Sequence, residues 1–120
     1  MMKLSVVADD GVVVRVRCEG EISEIRFQAD GNPLENLLGP GCYARKVILD
    51  LERADWIDSS GINWLVRTNT AFKTQGGTFV LFSLARRVDE VLRFCKMERI
   101  FRIAPDENAA RAQATGENKQ

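Results

Sequence analysis

Short stretches in which every second residue is apolar give way along this chain to longer ones in which apolar residues recur every third or fourth position. Residues 4–8 and 12–18 flank Asp9-Asp10-Gly11, where the Asp-Gly pair is expected to supply the positive φ angles of a tight hairpin turn. Val12, Val14, Val16 and Cys18 share one face of the second run and Arg15 and Arg17 the other, which predicts a half-buried antiparallel strand. Residues 20–28, with Ile22, Ile25 and Phe27, fit either a short strand or part of a loop. Asn32-Pro33-Leu34-Glu35 predicts a helix start, with Asn32 as cap, Pro33 in the first helical position and Glu35 three residues past the cap; Gly39-Pro40-Gly41 ends it. The nearly continuous apolar run Val47-Ile48-Leu49-Asp50-Leu51 predicts a central strand covered on both faces.

From residue 61 to 75, Ile62, Leu65, Val66, Asn69 and Phe72 recur at helical spacing until Gly76-Gly77 stops the helix. Residues 78–82 form another buried strand. Val88, Val91, Leu92 and Cys95 make the next helical stripe, residues 100–103 a last short strand, and Pro105 opens a weakly helical segment through Ala114. This order predicts one α/β domain over residues 1–114. Its mixed sheet has an N-terminal antiparallel hairpin and parallel strands joined by right-handed crossover helices. Residues 115–120 are expected to form a disordered tail. No internal repeat and no second domain are visible.

Composition narrows the chemistry. At 120 residues the chain can bury a core without staples. Its 17 Lys and Arg balance 17 Asp and Glu, so no global field draws it to nucleic acid or an anionic membrane. Arg86, Arg87, Arg93 and Lys96 read as the wet side of a helix. The N-terminus lacks a signal-peptide stretch and no apolar run approaches spanning length, so a soluble cytoplasmic protein is expected. Cys18, Cys42 and Cys95 are odd in number and widely spaced, which argues against disulfides or a zinc site; Cys18 and Cys95 are expected on apolar faces as small hydrophobes.

Histidine is absent, so the usual general base is missing and a Ser-His-Asp hydrolase is excluded. Neither Gly39-Pro40-Gly41 nor Gly76-Gly77 is followed by Lys-Ser or Lys-Thr, so no phosphate loop supports nucleotide binding. Asp50, Glu52, Asp55 and Asp58 gather near one predicted strand end, and they read as solvated loop charges rather than a magnesium site. Neither an enzyme nor a resident cofactor or metal is therefore expected. What remains is Asp58-Ser59-Ser60-Gly61, a paired hydroxyl on a strand-to-helix corner. A serine without a base can still be a substrate, because a phosphoryl group there gains about −1.5 to −2 charges and suits the helix dipole. Burying that dianion beside Asp58 in an interface costs several kcal/mol. Ser59 should be the exposed hydroxyl, whereas Ser60, one step further in, can bond the first turn. Trp64 lies off the centre of its helix's apolar stripe; such a residue either packs under a neighbouring helix or joins a binding surface, and it is carried forward as a partner-binding candidate.

These elements and motifs together resemble the STAS domain, and most closely its small stand-alone members, the bacterial anti-sigma-factor antagonists. The similarity spans roughly residues 3–114 and rests on Gly20-Glu21-Ile22, Val47-Ile48-Leu49-Asp50-Leu51, Asp58-Ser59-Ser60-Gly61-Ile62 and the stretch 92–101. The resemblance implies that Ser59 is phosphorylated by a serine kinase that is itself the anti-sigma factor, with ATP and magnesium belonging to that kinase. It also implies that the unphosphorylated form binds the kinase and that a metal-dependent serine phosphatase resets the protein. Asp58, Ser59, Ser60, Gly61, Trp64 and Ser23 are the expected partner-binding residues, and a weak homodimer is allowed. Two features depart from the family pattern. Ser23 stands where an aspartate is common, and Asp30-Gly31-Asn32-Pro33 interrupts what is usually a longer first helix. The rival reading is a STAS adaptor that scaffolds a signalling or transporter complex without phosphorylation.

Overall fold

A computed structural model describes residues 2–23 and 31–116. Strands β1 (Lys3–Asp9) and β2 (Val13–Ile22) form the expected hairpin, β3 (Lys46–Ile57) lies parallel to β2, and β4 (Thr78–Phe82) and β5 (Arg102–Ala104) continue in parallel. Strand order in the sheet equals chain order. Helices α1 (Pro33–Leu38), α2 (Ser59–Gln75) and α3 (Arg86–Phe94) connect successive parallel strands, with a 3-10 turn at Pro40–Ala44 after α1; α4 (Glu107–Thr115) closes the described chain. The fold class is therefore the one the apolar pattern predicts.

Alternation along β2 and β3 builds two cores. Val14, Val16 and Cys18 join Val47, Leu49 and Leu51 in the larger one, with Leu65 and Phe72 of α2 and Val88 and Leu92 of α3. On the opposite face Val13, Ile48, Val80 and Phe82 meet Ala110 and Ala114 of α4. A strand covered on both faces shows no hydrophobic alternation, as residues 47–51 do not. Asp50 is the polar member of the second face. It is 3 % exposed, between Arg15 at 3.6 Å and Arg17 at 3.7 Å, and its Oδ1 accepts the Glu52 N–H at 3.0 Å. Burial of a carboxylate requires such partners, so Asp50 is not the solvated loop charge expected from sequence.

Several boundaries differ for identifiable reasons. In the hairpin turn only Gly11 has positive φ, at 86°; the Asp10 carboxylate instead accepts the Val12 and Val13 N–H groups at 2.8 Å each and stabilises a longer loop. β3 runs six residues past Leu51 because Ala54 and Ile57 stay buried while their neighbours face water; across two bulges it pairs with β2 as far as Ile22. The strand expected at 100–103 begins at Arg102, with Ile100 in a turn. Thr115 belongs to α4 rather than a tail, its hydroxyl bonding the Arg111 carbonyl at 2.9 Å. Cys18 is buried but Cys95, just past the end of α3, is exposed, contrary to its expected place on an apolar face. The undecided stretch beyond Ser23 lies outside the described residues, as do 117–120.

Candidate functional site

The corner between β3 and α2 is assembled from the end of the β2–β3 ladder. Ile22 pairs with Ile57, and the Asp58 N–H reaches the Ile22 carbonyl at 3.4 Å. Asp58 then turns away in extended backbone, φ −111° and ψ −177°, and caps α2: its Oδ1 accepts the Gly61 N–H at 2.8 Å. A cap residue must be non-helical so that its side chain can reach the free N–H groups of the first turn. Gly61 is fixed for another reason. A Cβ on Gly61 would lie 1.9 Å from the Ile22 carbonyl oxygen, 2.6 Å from the Ile22 carbonyl carbon and 3.0 Å from Ile57 Cγ1, so the helix and β2 approach too closely for any side chain. Gly61 is buried and shapes the corner from beneath; it offers no surface to a partner, a correction to its expected role.

The two adjacent serines have different environments. Ser60 Oγ donates to Asp58 Oδ1 at 2.6 Å. With its single proton so used, Ser60 accepts from Ser23 Oγ, 3.0 Å away. The chain from the Ser23 hydroxyl through the Ser60 hydroxyl to the Asp58 carboxylate joins the end of β2 to the start of α2. Burial pushes the Asp58 carboxyl up, but the hydrogen bonds it accepts from the Ser60 hydroxyl and the Gly61 N–H outweigh it, holding the pKa below the usual carboxylate range. Ser59, the first residue of α2, is exposed, while Ser23, Asp58 and Ser60 are half-buried. Four of the expected residues thus meet at one corner.

Trp64 does not join them at the surface. It is 1 % exposed, and its indole N–H donates to Asn32 Oδ1 at 3.0 Å. The same Asn32 oxygen caps α1 through the Leu34 N–H at 2.9 Å, and its amide donates to Thr68 Oγ1 at 3.1 Å. The flank of α2 away from the aliphatic stripe is therefore covered by the start of α1. Trp64 is a packing residue, and its expected place on a partner surface is corrected. The exposed indole near the corner is Trp56, 43 % exposed. With Gly20, Glu21, Asp55, Ala85, Arg86 and Arg87 it lines a groove of about 740 Å³ between the end of the β2–β3 ladder and the start of α3. The local pattern carried no signal for it: regular alternation would put Trp56 on the same side of β3 as buried Ala54, two residues earlier. Asp50, Glu52, Asp55 and Asp58 do not converge: among the described residues no cluster of three or more acidic, Cys or His side chains could hold a metal ion.

A STAS-domain family model matches residues 3–110. The chain belongs to the STAS family. Solved structures agree on the fold. A proposed anti-sigma factor antagonist of Thermotoga maritima superposes with a TM-score of 0.75 at 22% identity, covering 95% of this chain and 94% of the other. The unphosphorylated form of the anti-sigma factor antagonist SpoIIAA gives 0.65 at 18% identity, with 97% of each chain covered. The phosphorylated form of SpoIIAA, a Bacillus cell fate determinant, gives 0.54 at 19% identity, covering 94% of this STAS domain and 99% of that chain. Among the described residues no helix is long and apolar enough to cross a membrane.

Proposed function

We propose that this STAS domain is a phosphorylatable anti-sigma-factor antagonist in a partner-switching system, with Ser59 as the phosphoacceptor. The observation that carries the reading is the asymmetry of the serine pair: Ser60 is held by Asp58 and Ser23, whereas Ser59 stands exposed on the first turn of a well-capped helix. A kinase must place the acceptor oxygen in line with a γ-phosphate, which requires a hydroxyl that can leave its own fold's hydrogen bonds. The unphosphorylated corner binds an anti-sigma factor serine kinase, using Ser59 with the exposed parts of Asp58, Ser60 and Ser23. ATP and magnesium arrive with that kinase, and a metal-dependent serine phosphatase restores the hydroxyl; this chain is substrate and binding module, in the cytoplasm.

Phosphate on Ser59 sits at a positive helix end, so the fold tolerates it. The partner does not. A dianion buried next to the Asp58 carboxylate has no compensating charge, and a penalty of about 5.5 kcal/mol takes a complex from nearly complete to nearly absent. The test is incubation of wild type, Ser59→Ala and Ser60→Ala with the anti-sigma factor kinase and ATP, followed by peptide mass spectrometry and binding titration. Phosphate should appear on Ser59 in the wild type and in Ser60→Ala, while Ser59→Ala binds persistently. Phosphate on Ser60, or equal affinity of the kinase for phosphorylated wild type and Ser59→Ala, overturns the reading and promotes the phosphate-independent adaptor.

A further inference from the structure

The two hydrogen bonds that hold Ser60 act differently. Its Oγ proton lies on Asp58 Oδ1 at 2.6 Å. A carboxylate at that distance is also how a general base readies a nucleophile, so the Asp58 bond alone does not disqualify Ser60 as a phosphoacceptor. Ser23 supplies the difference. Its hydroxyl, 3.0 Å away, donates to a lone pair of the same oxygen.

Phosphoryl transfer uses a serine oxygen in a defined way. A lone pair of Oγ forms the new bond to the γ-phosphorus of ATP, the bond from that phosphorus to the bridging oxygen breaks with its electron pair left on ADP, and the hydroxyl proton passes to a carboxylate of the kinase. The attacking lone pair must lie in line with the leaving oxygen. An oxygen joined to Cβ, with its proton aimed at Asp58 and one lone pair at Ser23, has no free torsion left. Its second lone pair points where the fold directs it. Ser23 can impose this because its own place is fixed: it directly follows Ile22, which is fully buried, pairs with Ile57 across the sheet and presses its carbonyl against Gly61 in the first turn of α2. Ser59, exposed at the start of the same helix, is left to be aligned by an enzyme.

We infer that Ser23 is a positioning residue for the phosphoryl transfer: by occupying an Oγ lone pair of Ser60 it confines the phosphate to Ser59. The inference rests on the proposed phosphorylation of this corner, and it assigns the choice between the two serines to a residue at the end of β2, outside the Asp58-Ser59-Ser60-Gly61 run. The test is single-turnover phosphorylation by the anti-sigma factor kinase and ATP, with the phosphate on each serine read by fragmentation of the peptide that carries both. The two serines belong to the same bound molecule, so a change in kinase affinity or in folded fraction cancels from their ratio, which a merely structural or partner-binding role of Ser23 would not move. Breaking both bonds of Ser60 costs about a hundred-fold, so in the wild type Ser60 should carry roughly 1% of the phosphate found on Ser59. Ser23→Ala should raise that share about five-fold, the worth of one neutral hydrogen bond, and Ser23→Thr, which keeps the hydroxyl, should return it to the wild-type value. In the Ser59→Ala background the same Ser23→Ala change should raise the rate at Ser60 by a similar factor. An unchanged ratio in Ser23→Ala, or a Ser23→Thr protein that behaves as Ser23→Ala does, overturns the inference and gives the choice of serine to the kinase, with the reading of Ser59 intact. Phosphate on neither serine of the wild type overturns that reading and this inference with it.

Discussion

Replacing Gly61 by alanine tests the corner directly. In an ordinary helix this substitution stabilises by about 1 kcal/mol, because glycine has more backbone freedom to lose. Here the new methyl would lie 1.9 Å from the Ile22 carbonyl oxygen and 3.0 Å from Ile57 Cγ1. A carbon normally keeps roughly 3.3 Å from such an oxygen, so α2 and the end of β2 must separate by more than 1 Å. That movement strains the Asp58 N–H to Ile22 bond at 3.4 Å and the Asp58 cap on Gly61 at 2.8 Å. Overpacking costs about 1–3 kcal/mol or more and loss of a cap about 1 kcal/mol, so after the propensity gain a net loss of about 3 kcal/mol is expected. In a domain of this size it lowers Tm by roughly 10 °C. The assay is thermal and urea unfolding followed by far-UV circular dichroism. Gly76→Ala is the control: its φ of 87° strains alanine, but nothing lies within 4 Å, and it should cost only about 1 kcal/mol. A Gly61→Ala protein as stable as wild type would refute the close approach of helix and strand.

Trp64→Ala should lose about 3–5 kcal/mol in urea unfolding, the cost of an aromatic removed from a core, whereas Trp64→Phe loses less because the remaining ring leaves a smaller cavity. Native protein should take up one equivalent of maleimide, at Cys95, and three after unfolding, as counted by intact mass; burial pushes Cys18 up to about 12 and also raises Cys42. The Val13 and Val12 N–H groups and Arg111 hold Asp10 near 2 against an ordinary 3.8, so its stabilisation is complete above the ordinary value and lost as pH falls through about 2. Urea midpoints measured from pH 5 to 2 should therefore fall less steeply in Asp10→Asn than in wild type.

Much of the fold was legible because its elements obey one period each. Residues 47–51 read as a doubly covered strand, and Asn32-Pro33 and Gly76-Gly77 marked helix ends that the structure reproduces within a residue or two. The failures come from tertiary partners that no local pattern encodes. Trp64 looked peripheral because only its own helix was visible; α1, more than twenty-five residues earlier, supplies both its cover and its hydrogen-bond acceptor. Asp50 looked like a loop charge because Arg15 and Arg17 reach it from a strand over thirty residues away. Cys95 fell on the helical stripe, but α3 ends one residue before it, and a stripe carries no burial beyond the helix that bears it.

Gly61 and the serines show how the corner divides its duties. The glycine lets α2 start directly under the Ile22 carbonyl, which brings Ser23 within 3.0 Å of Ser60 and so engages the second hydroxyl inside the fold. One hydroxyl is thereby committed to stability and its neighbour is left outside. Exchanging those duties would require more than swapping residues of equal polarity, since a phosphate on Ser60 would have to displace the Asp58 and Ser23 bonds and open the junction of β2 with α2. Under the proposed function, the structural hydrogen bonds of Ser60 thus act as the selectivity device for Ser59: the kinase needs no discrimination between adjacent serines that the substrate's own fold has already made.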